Sequence, residues 1–287
     1  MSAHTQEECV MNHSEGTFPG VGSLELYYQK WLPEDAPRAI LAIVHGFGEH
    51  SGRYGTVVNH LTSRGFAIYG FDHRGHGRSP GQRGHINAWD EYRGDVSAFL
   101  KTIQAQNPQE AIFLMGHSMG ALIVLDYVLR RPEKLAGTIV SGTPIDPVGF
   151  AKPYLVTLAR LLSRIWPRFP IKIPFDAATI SRDPDVVAAY QQDPLVHCLA
   201  TPRWGTEAQK TIQWIRSRPQ DLQTPILMIH GGSDPINTVA GCEDFFEKVT
   251  YPDKQLLVYP ESYHEPHNDL DHKQVVEDLE KWLTKHL

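Results

Sequence analysis

Met115-Gly116-His117-Ser118-Met119-Gly120 stands between two stretches of different period. Residues 112–115 form a short apolar run with the length of a buried strand, and 119–130 carry apolar residues at helical spacing. A serine with glycine two positions to either side therefore falls where a strand turns into a helix, the setting of a G-x-S-x-G nucleophile elbow. The motif alone arises by chance in many proteins; its context gives it weight. The turn is sharp and strained, and side chains at the two glycine positions would not fit.

Outward from this point, strand and helix alternate. Leu24, Leu26 and Tyr28 read as an antiparallel edge strand, and 39–44, 66–71 and 138–140 as buried strands. Amphipathic stretches at 54–63 and 91–103 separate them, as in a mostly parallel central sheet with helices on both faces. The alternation breaks between Thr143 and Thr224, where Pro153, Pro167, Pro170 and Pro174 punctuate a stretch with no convincing buried strand. It resumes with a strand at 226–229, a helix near 243–249, a strand at 255–259 and a helix over 273–287. The expected organisation is an α/β-hydrolase core of residues 1–144 and 224–287, with 145–223 inserted as a cap and return helix.

A serine hydroxyl is a weak nucleophile at neutral pH, so a histidine must take its proton and a carboxylate must orient that histidine. In this fold they follow in the order Ser, Asp, His. Asp234, in His230-Gly231-Gly232-Ser233-Asp234-Pro235, and His264, in Glu261-Ser262-Tyr263-His264, both follow expected strands. Open α/β sheets place their sites at such carboxyl ends. His267 competes with His264, which lies nearer the strand end. Asp269 and Asp271 come after the histidine and violate the order. A zinc site from His45, His50, His73 and His76 lacks any H-E-x-x-H or Cys/His pairing.

The developing oxyanion needs two N–H donors. Met119, at the start of the helix, offers one. The loop His45-Gly46-Phe47-Gly48-Glu49-His50 offers the other from Phe47, unless it is a plain glycine-rich turn.

The chain has 287 residues with 27 Lys and Arg against 33 Asp and Glu, a formal charge of -6 that gives no footprint for nucleic acid. Cys9, Cys198 and Cys242 are too few and too scattered for a disulfide framework or zinc site, and a reducing cytoplasm fits them. No signal peptide is visible, and no stretch reaches the roughly 20 apolar residues that span a bilayer. Membrane contact is expected to be peripheral.

Several stretches taken together resemble the monoacylglycerol lipase and lysophospholipase branch of the α/β-hydrolases, grouped with the serine aminopeptidase-like hydrolases. They are the loop from His45 to Tyr54, Asp72-His73-Arg74-Gly75-His76-Gly77-Arg78-Ser79, the elbow, Ser181-Arg182-Asp183-Pro184, and Asp193-Pro194-Leu195-Val196-His197. The resemblance covers nearly the whole chain. It implies a triad of Ser118, Asp234 and His264, an oxyanion hole from Phe47 and Met119, and a lid over an acyl pocket. It further implies that Glu49, His50 and Arg53 lie near the head-group pocket, that no cofactor or metal is needed, and that the substrate is a monoacylglycerol or another single-chain lipid ester. Ala121 departs from the family, which often has a second glycine after the elbow.

Rival readings are a lysophospholipase or broad carboxylesterase and, from another class, a non-catalytic binding protein on the same fold. An epoxide hydrolase or dehalogenase would need an aspartate at position 118.

Within the insertion, Tyr154, Leu155, Leu158, Leu161, Leu162, Ile165 and Trp166 share one helical face. Lys152, Arg160, Arg164, Arg168 and Lys172 flank them. That pattern suits a helix lying on a lipid surface, and equally one whose apolar face lines the acyl pocket or packs on the core.

Overall fold

The structure is a computed structural model that describes residues 12–130, 135–148 and 153–287. In chain order its first half carries β1 (Asn12–Pro19), β2 (Glu25–Leu32), β3 (Ala39–Val44), α1 (Gly55–Thr62), β4 (Phe66–Phe71), α2 (Asp90–Gln106), β5 (Ile112–His117), α3 (Met119–Arg130) and β6 (Gly137–Ser141). Then come α4 (Pro153–Ile165), β7 (Ile171–Lys172), α5 (Pro184–Gln192), β8 (Leu199–Ala200) and α6 (Pro202–Arg216). The chain closes with β9 (Ile226–Gly231), α7 (Val239–Lys248), β10 (Lys254–Tyr259) and α8 (His272–Lys285).

Eight strands form one sheet in the order β1-β2-β4-β3-β5-β6-β9-β10. β1 and β2 are antiparallel to their neighbours, and the rest run parallel. The buried strands β3, β4 and β5 are apolar along nearly their whole length, as strands covered on both faces must be. The strand order is that of the α/β-hydrolase fold.

Leu24, Leu26 and Tyr28 are not at the edge, because β1 pairs outside them, Phe18 against Leu26 and Gly16 against Tyr28. β1 is hidden to pattern reading for a physical reason: only Phe18 of its residues is buried, so it shows no alternation.

Alternate strand residues feed two cores. On one face α1 contributes Val57, Val58 and Leu61, and α8 contributes Val275, Leu279 and Trp282. On the other, α2, α3, α6 and α7 pack, with Tyr92, Phe99, Leu125, Ile215 and Phe245 buried. Truncating a fully buried leucine such as Leu279 to alanine should cost about 2–5 kcal/mol.

Register levels the strand ends where the site forms. Val44 pairs with Phe71 and with Gly116, Gly116 with Val140, and Val140 with Met228. The loops that leave β3, β5, β6 and β9 therefore emerge side by side.

Within the insertion β7 and β8 form a two-residue antiparallel pair, β7 exposed. α4 leans on α6, where Ser163 Oγ lies 3.0 Å from Thr206 Oγ1 and Arg203 Nη2 donates to the Ser163 carbonyl at 3.0 Å. α6 in turn packs against α3 and joins the core through Trp204, Ala208 and Ile215. Part of the inserted segment thus belongs to the packed body. Lys152 and Cys9 lie outside the described residues, as do the side chains of Tyr154, Leu155 and Leu158.

Candidate active site

β5 ends in the register of its neighbours, and Ser118 follows it with φ of +52°, a left-handed backbone that few non-glycine residues hold. The turn is pinned from both sides: Ser118 N–H donates to the Ser141 carbonyl at 2.8 Å, and its own carbonyl accepts from Leu122 N–H at 3.1 Å. The flanking glycines are required by contact. A Cβ on Gly116 would run into the Gly120 carbonyl, and one on Gly120 into the carbonyl of Val44. Ala121, buried in α3, is accommodated beside them.

From the loop after β10, His264 Nε2 lies 2.9 Å from Ser118 Oγ. Its Nδ1 lies 2.8 Å from Asp234 Oδ2. The tautomer that satisfies both contacts donates from Nδ1 to the carboxylate and accepts the serine proton at Nε2. Asp234 Oδ1 is held by the N–H groups of Ile236 at 2.8 Å and Asn237 at 3.1 Å. Asn237 also donates its side-chain amide to the Gly142 carbonyl at 2.8 Å.

Gly142, with φ of +56°, lets the histidine come close: a Cβ there would stand 2.9 Å from the His264 carbonyl and 3.1 Å from its ring. Neither Asn237 nor Gly142 stood out in the sequence, although each lies just past a strand that feeds the site.

Burial disfavours the charged form of both partners. For His264 the Asp234 carboxylate and its hydrogen bond outweigh that cost and lift the imidazole pKa above its ordinary value. For Asp234 the histidine, the Asn237 N–H and His230 outweigh it in turn and hold the carboxyl below its ordinary range. The two shifts act together: an ionised carboxylate at Nδ1 supports positive charge on the imidazole.

His267, the rival base, is occupied elsewhere. Its ring stacks on Tyr54 at 5.1 Å with the planes only 7° apart. Gly46 brings the loop after β3 against the nucleophile, since a Cβ on it would lie 3.3 Å from Ser118 Cβ. Phe47 and Met119 both line the cavity over Ser118. Met119 opens α3, so its N–H has no carbonyl one turn back in the helix.

That cavity has a volume of about 360 Å³, within the range of small-molecule sites. The core supplies Leu122 and the polar end, and the insertion supplies Ile173, Phe175, Trp204 and Ile212. Glu49 and Arg53 line it too. Their charged groups are nonetheless turned on each other, Arg53 Nη1 donating to Glu49 Oε2 at 2.9 Å. His50 is placed differently from these two. It does not line the cavity; its Nε2 is 2.8 Å from Asp193 Oδ2 and its Nδ1 accepts from Gly52 N–H at 3.1 Å. Its backbone is extended, and its ring caps the short turn over Ser51–Arg53.

Of the four histidines weighed for zinc, His45, His73 and His76 do cluster, with His45 4.3 Å from His73 and 5.5 Å from His76 between ring centres. His45 Nε2 accepts the His73 backbone N–H at 2.9 Å, which uses the nitrogen a metal would need. Among the described residues no group of three or more His, Cys, Asp and Glu is placed to hold a metal ion.

A strand, a left-handed serine and a helix at the carboxyl edge of this sheet define the α/β-hydrolase class. The family described as serine aminopeptidase, S33, matches residues 35–271. The chain is 36% identical to the monoacylglycerol lipase of Mycolicibacterium smegmatis over 96% of its own length and 98% of that protein's. The solved structure of the Paleococcus ferrophilus monoacylglycerol lipase superposes with a TM-score of 0.84 at 32% identity, covering 92% of this chain and all (100%) of that one. A soluble variant of the Saccharomyces cerevisiae monoglyceride lipase, in complex with a substrate analog, gives 0.86 over 99% of both chains; at 24% identity it speaks for the fold. The chain belongs to the serine aminopeptidase S33 family, on its monoacylglycerol lipase branch, and is a carboxylic ester hydrolase.

Proposed function

We propose that the protein hydrolyses monoacylglycerols to fatty acid and glycerol through an acyl-enzyme on Ser118. The observation that carries this is the unbroken relay Ser118–His264–Asp234, at 2.9 and 2.8 Å, opening into a largely apolar cavity. Ser118 Oγ attacks the ester carbonyl as His264 Nε2 takes its proton. The oxygen gathers charge facing the N–H groups of Phe47 and Met119. His264 then hands the proton to the glycerol oxygen, which leaves. Water enters and attacks the acyl carbonyl as it loses a proton to the same nitrogen; the bond to Ser118 Oγ then breaks, His264 returns that proton to Oγ, and the fatty acid leaves. Asp234 steadies the imidazolium in both.

The match to monoacylglycerol lipases over nearly the whole chain favours this substrate over a lysophospholipid. In this reading residues 145–223 form the cap, and its apolar lining takes the acyl chain. Hydrolysis rates for glycerol esters of increasing chain length, with a lysophospholipid and a fluorophosphonate probe alongside, test it. Rates that peak on long-chain monoacylglycerols, with labelling lost in Ser118→Ala, are expected. Faster turnover of the lysophospholipid, or labelling retained in the variant, would overturn it.

The cap is also read as a peripheral contact with lipid. Leu161, Ile165, Trp166 and Phe169 are all more than half exposed, at 53%, 58%, 64% and 57%. None of the four lines the cavity. No helix among the described residues is long and apolar enough to cross a membrane.

A further inference from the structure

Glu265 follows His264 directly, is buried, and takes no part in the steps above. Its carboxylate is held by a forked pair of hydrogen bonds, Arg53 Nη1 to Oε1 at 2.7 Å and Nη2 to Oε2 at 2.9 Å. Asn268 Nδ2 adds a third, to Oε2, at 2.9 Å. The same Arg53 Nη1 reaches Glu49 Oε2 at 2.9 Å. Glu49 Oε1 then accepts from the Gly46 N–H at 2.6 Å and from the Tyr54 hydroxyl at 3.0 Å. The network thus runs without a gap from the residue after His264 to the residue before Phe47. The Tyr190 ring, from α5, closes it on the cavity side with its centre 4.6 Å from the guanidinium.

Two acids around one cation make an expensive thing to bury, and a buried ion pair is poor value as a source of stability. Fully hydrogen-bonded networks of this kind rigidify what they connect. Here they connect the two loops whose spacing acyl transfer depends on. Arg53 holds Glu265 well ionised despite burial, the carboxyl lying below its ordinary range.

We infer that Glu265 is a positioning residue for acyl transfer, bracing the His264 turn against the Gly46–Phe47 loop through Arg53 and Glu49. The inference rests on the reading of Ser118 as nucleophile and His264 as base. It assigns to Glu49 and Arg53 an architectural duty in place of a purely substrate-facing one.

Charge follows from the same geometry. His264 is faced by Asp234 and His230 from β9 and the loop after it, and by His117 from β5, ring centres 4.8 Å apart. From the loop after β3 it is faced by Glu49 and Arg53, and from its own turn by Glu265 and His267. The three neighbouring histidines are pushed toward neutrality, chiefly by burial. Glu49, Arg53 and Glu265 together leave one negative charge beside the imidazole. It adds to the pull of Asp234 in favouring the imidazolium.

The test is Glu265→Gln beside Glu265→Asp, assayed on monooleoylglycerol and p-nitrophenyl butyrate across pH, with circular dichroism and thermal melting as controls. The amide keeps the shape but sets an N–H against Arg53 or Asn268 and removes the charge. We expect kcat to fall about 10- to 100-fold on both esters, as loosened alignment would bring, with KM nearly unchanged. The acid limb of kcat/KM should move to lower pH, since the imidazolium has lost support. The aspartate keeps the charge and loses reach, so its limb should stay in place while kcat still falls.

Unchanged kcat and limb in a folded Glu265→Gln would overturn the inference. So would a loss that merely tracks a lowered Tm and recovers on cooling with the wild-type pH profile. Should the glutamine variant not fold, Glu265→Asp decides: wild-type kcat overturns the inference, and reduced kcat with an unmoved limb supports it. Activity retained in Ser118→Ala would instead overturn the reading beneath it.

Discussion

The sheet and the insertion contribute the two walls of the site, and they are built on opposite terms. On the sheet side Ser118, His264 and Asp234 sit at strand ends in register, with every contact of the relay between 2.8 and 2.9 Å. Even the glycines there are dictated by carbonyls close behind them. On the insertion side α4 meets α6 around Ser163, while Leu161, Ile165 and, just past the helix, Trp166 are exposed to solvent. Bond-making demands fixed geometry, while taking up a floppy apolar chain demands only matching surface. Changes in the first wall should strike kcat on every ester alike, and changes in the second should depend on the substrate offered.

The comparison breaks soonest at the nucleophile. Ser118→Ala should lower kcat by about 10⁴- to 10⁶-fold on short and long esters equally, because members of a triad act as a unit. Alanine holds the same left-handed turn no worse than serine, so the melting temperature should hardly move. A loss confined to long-chain esters would mean that the two walls are not so divided. His264→Ala should fall by several orders of magnitude as well. His267→Ala should keep most of its kcat and lose stability through the stack on Tyr54. The reverse order in a side-by-side assay would transfer the base to His267.

Next in size is Gly142→Ala, which adds a methyl between two parts of the fixed wall. It would press on the His264 carbonyl at 2.9 Å and on its ring at 3.1 Å, at a residue whose φ of +56° already disfavours alanine. A shift of about 1 Å in the base costs on the order of 100-fold, so kcat should drop by that much with KM little changed. A KM effect would place Gly142 in substrate binding instead.

The pH dependence sharpens the same side. His264 works as a base only when neutral, and its pKa is held above the ordinary 6.5. The kcat/KM profile should therefore rise with pH through a limb centred above 6.5. A limb below that value would show that the carboxylates around the ring do not govern it.

The two walls also differed in how well the sequence revealed them. Buried parallel strands are continuous apolar runs, so β3, β4 and β5 are legible at sight, and with them the alternation that defines the fold. Ser118 is legible because the elbow is local: strand, turn and helix lie within a dozen residues. Glu265 is not, since its meaning depends on Arg53, more than two hundred positions away in the chain. His50 matched its family position by sequence, but its contact with Asp193, 143 positions away, is not legible there. β1 lacks alternation because water covers most of it. In the insertion, α5 and α6 begin at Asp183-Pro184 and Thr201-Pro202, each a capping side chain before a proline in the first turn. That start signal was present, and Pro153, one of the prolines that punctuate the insertion, likewise stands at the first residue of α4.

The smallest effect expected in solution belongs to the insertion. Replacing Arg160, Arg164 and Arg168 with glutamate should leave p-nitrophenyl butyrate hydrolysis unchanged, because none of the three lines the cavity. Binding to vesicles that contain anionic lipid should weaken, since each basic residue near such a surface contributes about 1 kcal/mol. The apolar side chains beside them would still enter the interface, so zwitterionic vesicles should separate the two forces: binding there should be weaker and indifferent to the triple change. High salt should imitate the substitutions, with the Debye length falling to about 3 Å at 1 M. On dispersed monooleoylglycerol the rate should fall by up to about tenfold, following the loss of surface-bound enzyme. Co-sedimentation measures the binding directly. Equal binding by the wild type and the triple variant would sink the charge component, and no binding by either would leave Ile165 and Trp166 without a lipid partner.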